Sequence, residues 1–205
     1  MRFVLPSTIV CSGPSQAGKS YFVQQLCLHI NEMMFPVPEE IIYCYSIWQP
    51  NYDKLRDDKR IKFIEGLPSY AELDGTQNRL LILDDLMTEV NETITNVFVK
   101  DSHHRNISVL QIVQNIFSKN KHQRTINLNS HYLILFRNPR DKSQISYIAR
   151  QMYPGNTKFV IDAYNKATSI PHGYLLFDFR QETDEALRLR SSIFPGTLTE
   201  VYIPK

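Results

Sequence analysis

Residues 13–20 read Gly-Pro-Ser-Gln-Ala-Gly-Lys-Ser, and this segment constrains the fold of the chain more than any other. A short apolar run, Thr8–Ser12, leads into it. A helical pattern carrying Phe22, Val23, Leu26, Ile30 and Met33 leads out, with Pro36 as the expected stop of a helix over Lys19–Met34. A strand that turns through glycines into a helix gathers backbone N–H groups and the positive end of the helix dipole at one point. Gly13 and Gly18 let the backbone curl, so that successive N–H groups face an anion. Lys19 is placed to reach the outer phosphates of a nucleoside triphosphate, and the Ser20 hydroxyl to hold Mg²⁺. Gly13, Pro14, Ser15, Gln16, Ala17, Gly18, Lys19, Ser20 and Tyr21 are therefore the expected ATP-binding set.

A second motif fits the first. Leu80–Asp84 is an apolar strand ending in two carboxylates, Asp84 and Asp85. Asp84 is expected to orient Mg²⁺ and its waters, and Asp85 to polarise an attacking water as general base. Taken alone, the same residues also read as a core strand ending in a solvated acidic turn. The strand Val109–Gln114 ends in Gln114 and Asn115. At the carboxyl edge of a parallel sheet these amides would lie beside the nucleotide crevice, where Gln114 is placed to bond the γ-phosphate or the attacking water. Simple turn chemistry is the other reading of Asn115.

The remaining strand candidates are Ile41–Ile47, Ile61–Ile64, Tyr132–Phe136 and Tyr174–Phe179. Most are apolar nearly throughout, as strands buried on both faces must be. Helices are expected over Thr88–Lys100, from an Asp141 N-cap to Arg150, and over Thr157–Thr168. The pattern predicts an α/β fold with a mostly parallel central sheet flanked by helices. Ile41–Ile47 and Ile61–Ile64 fit in sequence between the phosphate loop and the acidic strand, and an intervening strand there resembles the plan of RecA-like P-loop NTPases of the additional-strand type. Residues 1–180 are expected to form the ATPase core. Residues 181–205 would be a C-terminal strand or arm, either in the same domain or in a subunit contact.

With 205 residues and 42% hydrophobic content the chain can bury one sizeable core. A net charge of +2 neither demands nor excludes nucleic acid. Cys11, Cys27 and Cys44 lack metal-ligand spacing and read as buried reduced thiols. His103, His104, His122 and His131 form no recognisable zinc set. No apolar run is long enough to span a membrane, and no secretion signal is visible at the N-terminus.

Three later stretches carry a resemblance. They are Ser102-His103-His104-Arg105-Asn106-Ile107-Ser108-Val109 leading to Gln114-Asn115, Arg124–Tyr132, and Phe136-Arg137-Asn138-Pro139-Arg140-Asp141. Together they resemble the FtsK–HerA superfamily. More narrowly, they are similar to the genome-packaging ATPases of Polinton- and adintovirus-like elements, relatives of the poxvirus packaging ATPase. The resemblance implies a homo-oligomeric ring, hexamer or pentamer, that translocates double-stranded DNA, without reading its sequence, into a preformed capsid. It implies capsid or portal proteins as partners. The site of action would be inside the host cell, in the nucleus or a viral factory, or on the virion. The second acidic residue of that group is often Glu. Here it is Asp85, with Glu89 as a backup.

A ring motor needs a cation supplied across the subunit boundary, and arginine suits developing phosphoryl charge. Arg124 is the first candidate, Arg140 the second, and Arg137 is also placed for it. Ser118–Arg124 is basic and loop-like, suited to touching DNA phosphates in a pore. The basic run from Lys54 to Lys62 is interrupted by Asp57 and Asp58 and reads as a solvated face. Arg188 and Arg190 alternate as in a strand and would line a subunit contact. The competing readings are a cellular FtsK–HerA-type DNA pump or helicase, and a nucleotide-binding assembly scaffold without motor activity.

Overall fold

The computed structural model describes residues 1–73, 77–86, 89, 92–97, 106–117 and 121–204. Among these residues nine strands form one sheet. In chain order they are β2 (Thr8–Ser12), β4 (Glu40–Tyr45), β5 (Ile61–Glu65), β6 (Arg79–Asp84), β7 (Ile107–Val113), β8 (Tyr132–Phe136), β9 (Tyr174–Asp178), β10 (Leu189–Ser191) and β11 (Glu200–Tyr202). Two short strands, β1 (Phe3–Val4) and β3 (Met34–Phe35), pair separately. The spatial order is β11-β10-β9-β8-β2-β7-β6-β4-β5. From β8 to β5 all neighbours are parallel, while β9, β10 and β11 add antiparallel.

The apolar strands are buried as their composition requires, with every residue of β2, β7 and β8 inside. The intervening strand is β7, which separates the phosphate-loop strand β2 from the acidic strand β6. It follows both motifs in sequence. The two strands that lie between the motifs in sequence, β4 and β5, pack outside β6 instead.

Alternate residues send two hydrophobic layers to opposite faces. One face carries Ile9, Cys11, Leu80, Ile82 and Ile112 and is covered by α1 (Lys19–Leu28) and α2 (Ile30–Met33). The other carries Val10, Leu81, Leu83, Val109 and Leu133. It is covered by α3 (Glu92–Asn96), α4 (Lys121–Leu128), α5 (Ser143–Met152) and α6 (Thr157–Ala167). The three cysteines are buried and free. No helix among the described residues is long and apolar enough to cross a membrane.

Several boundaries differ from expectation. The helix expected over Lys19–Met34 breaks at His29, and Met34–Phe35 leaves to form β3. Asp141 is not the N-cap: Lys142 holds that position without a side-chain cap bond, while Asp141 one residue earlier accepts from the Ser143 N–H at 3.0 Å, and α5 runs to Met152. Of the helix expected over Thr88–Lys100, Glu92–Asn96 is helical, whereas Thr88 and residues 98–100 lie outside the described residues.

The larger correction concerns Ser118–Arg124. Its described part, Lys121–Arg124, is the first turn of α4 rather than a loop. Amides hold that helix down. Gln123 and the buried Gln111 of β7 exchange hydrogen bonds of 2.9 and 3.0 Å, and Gln123 also donates to Asn127. Ser118–Asn120 and His103–Arg105 lie outside the described residues. His122 and His131 are hydrogen-bonded to Thr95 and Thr8. Arg56, Arg60 and Lys62 pair with Asp53, Asp58 and Glu72 at the surface, as a solvated face would.

Arg188 and Arg190 do not stand free for a neighbour. Arg190 donates to the fully buried Asp178 at 2.5 Å and Arg180 to the same carboxylate at 3.2 Å, while Arg188 donates to the Asp178 and Arg180 carbonyls. This cluster ties β9 to β10. Removing one member of a buried ion set leaves the others uncompensated. Asp178→Ala is therefore expected to lower stability by about 3 kcal/mol, read as a fall in urea midpoint at unchanged slope.

Candidate functional site

The phosphate loop forms at the carboxyl edge of β2, between the ends of β7 and β8. The Gly13 N–H donates to the Val113 carbonyl at 3.2 Å, which anchors the loop to β7. Gly13 is needed for space rather than for its dihedrals, since a Cβ there would come within 2.7 Å of the Phe136 Cβ on β8. Gly18 is needed for both reasons. Its φ is 106°, and an added Cβ would meet His172 at 3.0 Å. Gln16 also has a left-handed backbone, with φ 65°. Lys19 is almost enclosed, and its ammonium donates to the Pro14 carbonyl at 2.8 Å. Burial pulls its pKa below the ordinary lysine value, opposed by Cys11 and by the carboxylates of Asp84 and Asp85.

Asp84 is the last residue of β6 and is 2% exposed. On a strand with period two, Leu80, Ile82 and Asp84 share the face packed on α1, which brings the carboxylate to the start of that helix. Two tyrosines meet it there. Tyr43 of β4 and Tyr52, in the short 3₁₀ helix Pro50–Leu55, both donate to its Oδ2 at 2.9 Å. Burial raises the Asp84 pKa, while bonds from Tyr52, Tyr43 and Ser20 counter the rise and Asp85 adds to it. The phenols belong to an aromatic wall of Tyr43, Tyr45, Trp48, Tyr52 and Phe63, with ring centroids about 5–6 Å apart. Sequence reading missed this pair because both tyrosines fall among apolar residues and look like core.

Asp85 leaves the strand. It is exposed, with φ 57°, a left-handed backbone that Asp tolerates better than most residues and that recurs at functional sites. A cavity of about 190 Å³ brings together Ser15, Gln16, Lys19, Ser20, Asp84, Asp85 and Gln114, and adds Gln49, which sequence reading did not single out. Gln114 is exposed just past the end of β7. Asn115 instead accepts from the Phe117 N–H at 2.7 Å, so its amide closes the turn. The remaining sequence candidates stand apart. Tyr21 is 60% exposed on the first turn of α1. Arg137 and Arg140 are exposed in the loop after β8, at the same sheet edge as the phosphate loop. Arg124 is exposed on α4. It lines a larger, mainly apolar cavity of about 740 Å³ on the opposite face of the sheet, with Phe117, Tyr147 and Met152. Among the described residues its lining includes neither a glycine nor a carboxylate. Glu89 is exposed beyond β6.

Chemically, the small cavity offers one ammonium, two hydroxyls, two carboxylates and three side-chain amides. This donor set suits a polyphosphate chelated to a hard divalent cation. The buried, raised Asp84 also predicts a stability trade-off. Between the unfolded carboxylate pKa and its own higher value, the folded state binds the extra proton, so its contribution to stability falls as pH rises through that window. Asp84→Asn is expected to raise the urea midpoint at pH 7, with the gain shrinking as pH is lowered toward the ordinary carboxylate range.

No protein-family model matches the sequence, and no curated protein sequence matches it. Solved structures do. The genome packaging NTPase B204 from Sulfolobus turreted icosahedral virus 2, in complex with sulfate, superposes with a TM-score of 0.58 at 15% identity, over 97% of this chain and 96% of that one. The same protein in complex with ATP-gammaS gives 0.57 at 15% identity, over 97% and 98%. The cytoplasmic domain of EssC gives 0.52 at 15% identity, over 97% of this chain and 40% of that one. At such identities the likeness is one of fold. The chain has the α/β architecture of P-loop NTPases, a mostly parallel central sheet with helices on both faces.

Proposed function

We propose that this chain is an ATPase whose hydrolysis drives double-stranded DNA through a ring of identical subunits, in the manner of a viral genome-packaging motor. The observation that carries the reading is the convergence of Lys19, Ser20, Asp84, Asp85 and Gln114 in one cavity, with β7 between the two motif strands. The end-to-end likeness in fold to a genome packaging NTPase supports it. The narrower kinship with Polinton- and poxvirus-like packaging ATPases is part of the same proposal and rests on the sequence resemblance.

In this reading the loop N–H groups and Lys19 hold the phosphates, while Ser20 and Asp84 hold Mg²⁺. When bound, the cation supplies charge compensation at the outer phosphate oxygens. Tyr43 and Tyr52 fix the Asp84 carboxylate through one oxygen and leave the other for that task. Asp85, exposed and turned out of the strand, takes the proton of the attacking water, and Gln114 orients that water. Arg124, Arg137 and Arg140 lie outside the phosphate cavity of their own chain, as residues donated to a neighbour's site would. Positive charge on Lys121, at the exposed start of α4, would meet DNA phosphates without reading bases. The capsid or portal proteins are expected to hold the ring at the particle, and the host cell or the virion is the expected site of action.

Lys19→Ala is expected to abolish nucleotide binding. Asp85→Asn should keep it and lose at least about 100-fold in turnover, measured as phosphate release with and without duplex DNA. Hydrolysis stimulated by duplex supports a motor. A near-zero, DNA-indifferent rate from an assembled ring would support the scaffold reading. For the trans cation, alanine at Arg124, Arg137 or Arg140 should spare nucleotide binding, and the true donor should lose assembled hydrolysis. Mixing that variant with Lys19→Ala subunits should restore part of the rate, and failure of every such mixture would overturn the trans assignment.

A further inference from the structure

The cavity of about 190 Å³ accommodates a phosphate tail and not a whole nucleotide, for which pockets are commonly about 300 Å³ or more. The nucleoside must therefore lie elsewhere along the same sheet edge. Lys19 and Ser20 serve the outer phosphates, and Asp84 and Gln114 lie on the β7–β6 side of β2. The inner end of the chain of phosphates then leaves on the other side, over β8 and β9. β9 runs antiparallel to β8 with Tyr174 opposite Phe136, so the residues that enter β9 reach this same edge.

That entry is a tight turn pressed onto the phosphate loop. Gly173 donates to the Ile170 carbonyl at 3.1 Å, and a Cβ on Gly173 would come within 2.4 Å of the Ala167 carbonyl. The turn forces His172 to φ 59°, exposed, with its Cβ against Gly18. The imidazole Nδ1 lies 3.3 Å from the Ala17 carbonyl. A carbonyl only accepts, so Nδ1 carries the proton and, in the neutral ring, Nε2 is left as an acceptor. Next to the turn, Phe22 packs edge to face on Phe136, Tyr174 and Phe194, and Phe136 lies tilted against Tyr174, which gives the turn a stiff base.

We infer that His172 is a nucleotide-binding residue that contacts the sugar or base of the nucleoside triphosphate, with the Ser169–Gly173 turn forming the nucleoside wall of the site. This rests on the nucleotide reading above. A planar ring held in place beside Gly18 offers a face for stacking, and Nε2 offers an acceptor for a ribose hydroxyl or a base amine. Both interactions are absent from inorganic polyphosphate.

The test is calorimetric titration, with Mg²⁺, of a non-hydrolysable ATP analogue and of inorganic tripolyphosphate into the full chain. His172→Gly removes the ring and accepts the left-handed backbone. His172→Asn keeps a short polar group that also tolerates it. Both variants should bind the analogue about tenfold more weakly and tripolyphosphate as the parent does. Lys19→Ala should lose both ligands. Unchanged analogue affinity in the two His172 variants overturns the inference. So does a parallel loss of both ligands, which would make His172 a prop for the loop. If the parent binds tripolyphosphate and the analogue equally well, the nucleoside wall fails while the phosphate site stands. If it binds neither, the nucleotide reading itself fails.

Discussion

A carboxylate buried at the end of an apolar strand is the constraint around which this structure is arranged. An unpaired charge at Asp84 would be untenable in a site that is 2% exposed. It is kept there by two phenols on one oxygen, by Ser20, and by the charge of Lys19 nearby. These partners come from three parts of the chain. Tyr43 arrives on β4, Tyr52 on the 3₁₀ helix that follows it, and Ser20 and Lys19 on the first turn of α1. The order of strands, the placement of α1 and the aromatic wall over β4 and β5 are conditions for that one group to stay folded and ionisable.

Much of this was legible in the sequence where one physical rule dominated. Thr8–Ser12, apolar between its terminal hydroxyl residues, and Tyr132–Phe136, apolar over nearly its whole length, emerge as strands with those bounds, because burial on both faces leaves little room for polar interruption. The glycine positions of the phosphate loop were legible as well, though for Gly13 the reason differs. The constraint is the approach of Phe136, a contact across more than a hundred residues that only the fold reveals. Helix α4 was not legible. It carries few apolar residues, and its anchor is a pair of glutamines whose partnership has no sequence signature. The tyrosines on Asp84 were hidden by being hydrophobic enough to pass as core. Arg188 and Arg190 look available for a subunit contact until the fold pairs Arg190 with the buried Asp178 and turns Arg188 onto main-chain carbonyls.

The two cavities divide the molecule by chemistry. The small one is polar and lies at the carboxyl edge of the parallel strands, the place where open α/β sheets gather ligands. The large one is mainly apolar and lies between α4, α5 and the other face of the sheet. Size alone would favour the apolar one. The donor set, the left-handed backbone of Asp85 and the glycine requirements single out the smaller.

The reciprocal glutamine bonds between β7 and α4 have a mechanical consequence. Gln111 stands three residues before Gln114 on β7, and Gln123 stands immediately before Arg124 on α4. Both amides are buried, so no water can take over a broken bond at low cost. The strand end that borders the phosphate cavity and the helix that carries an exposed arginine are therefore geared together. Pulling the two apart must break two buried hydrogen bonds at once, so the helix keeps its place relative to that strand.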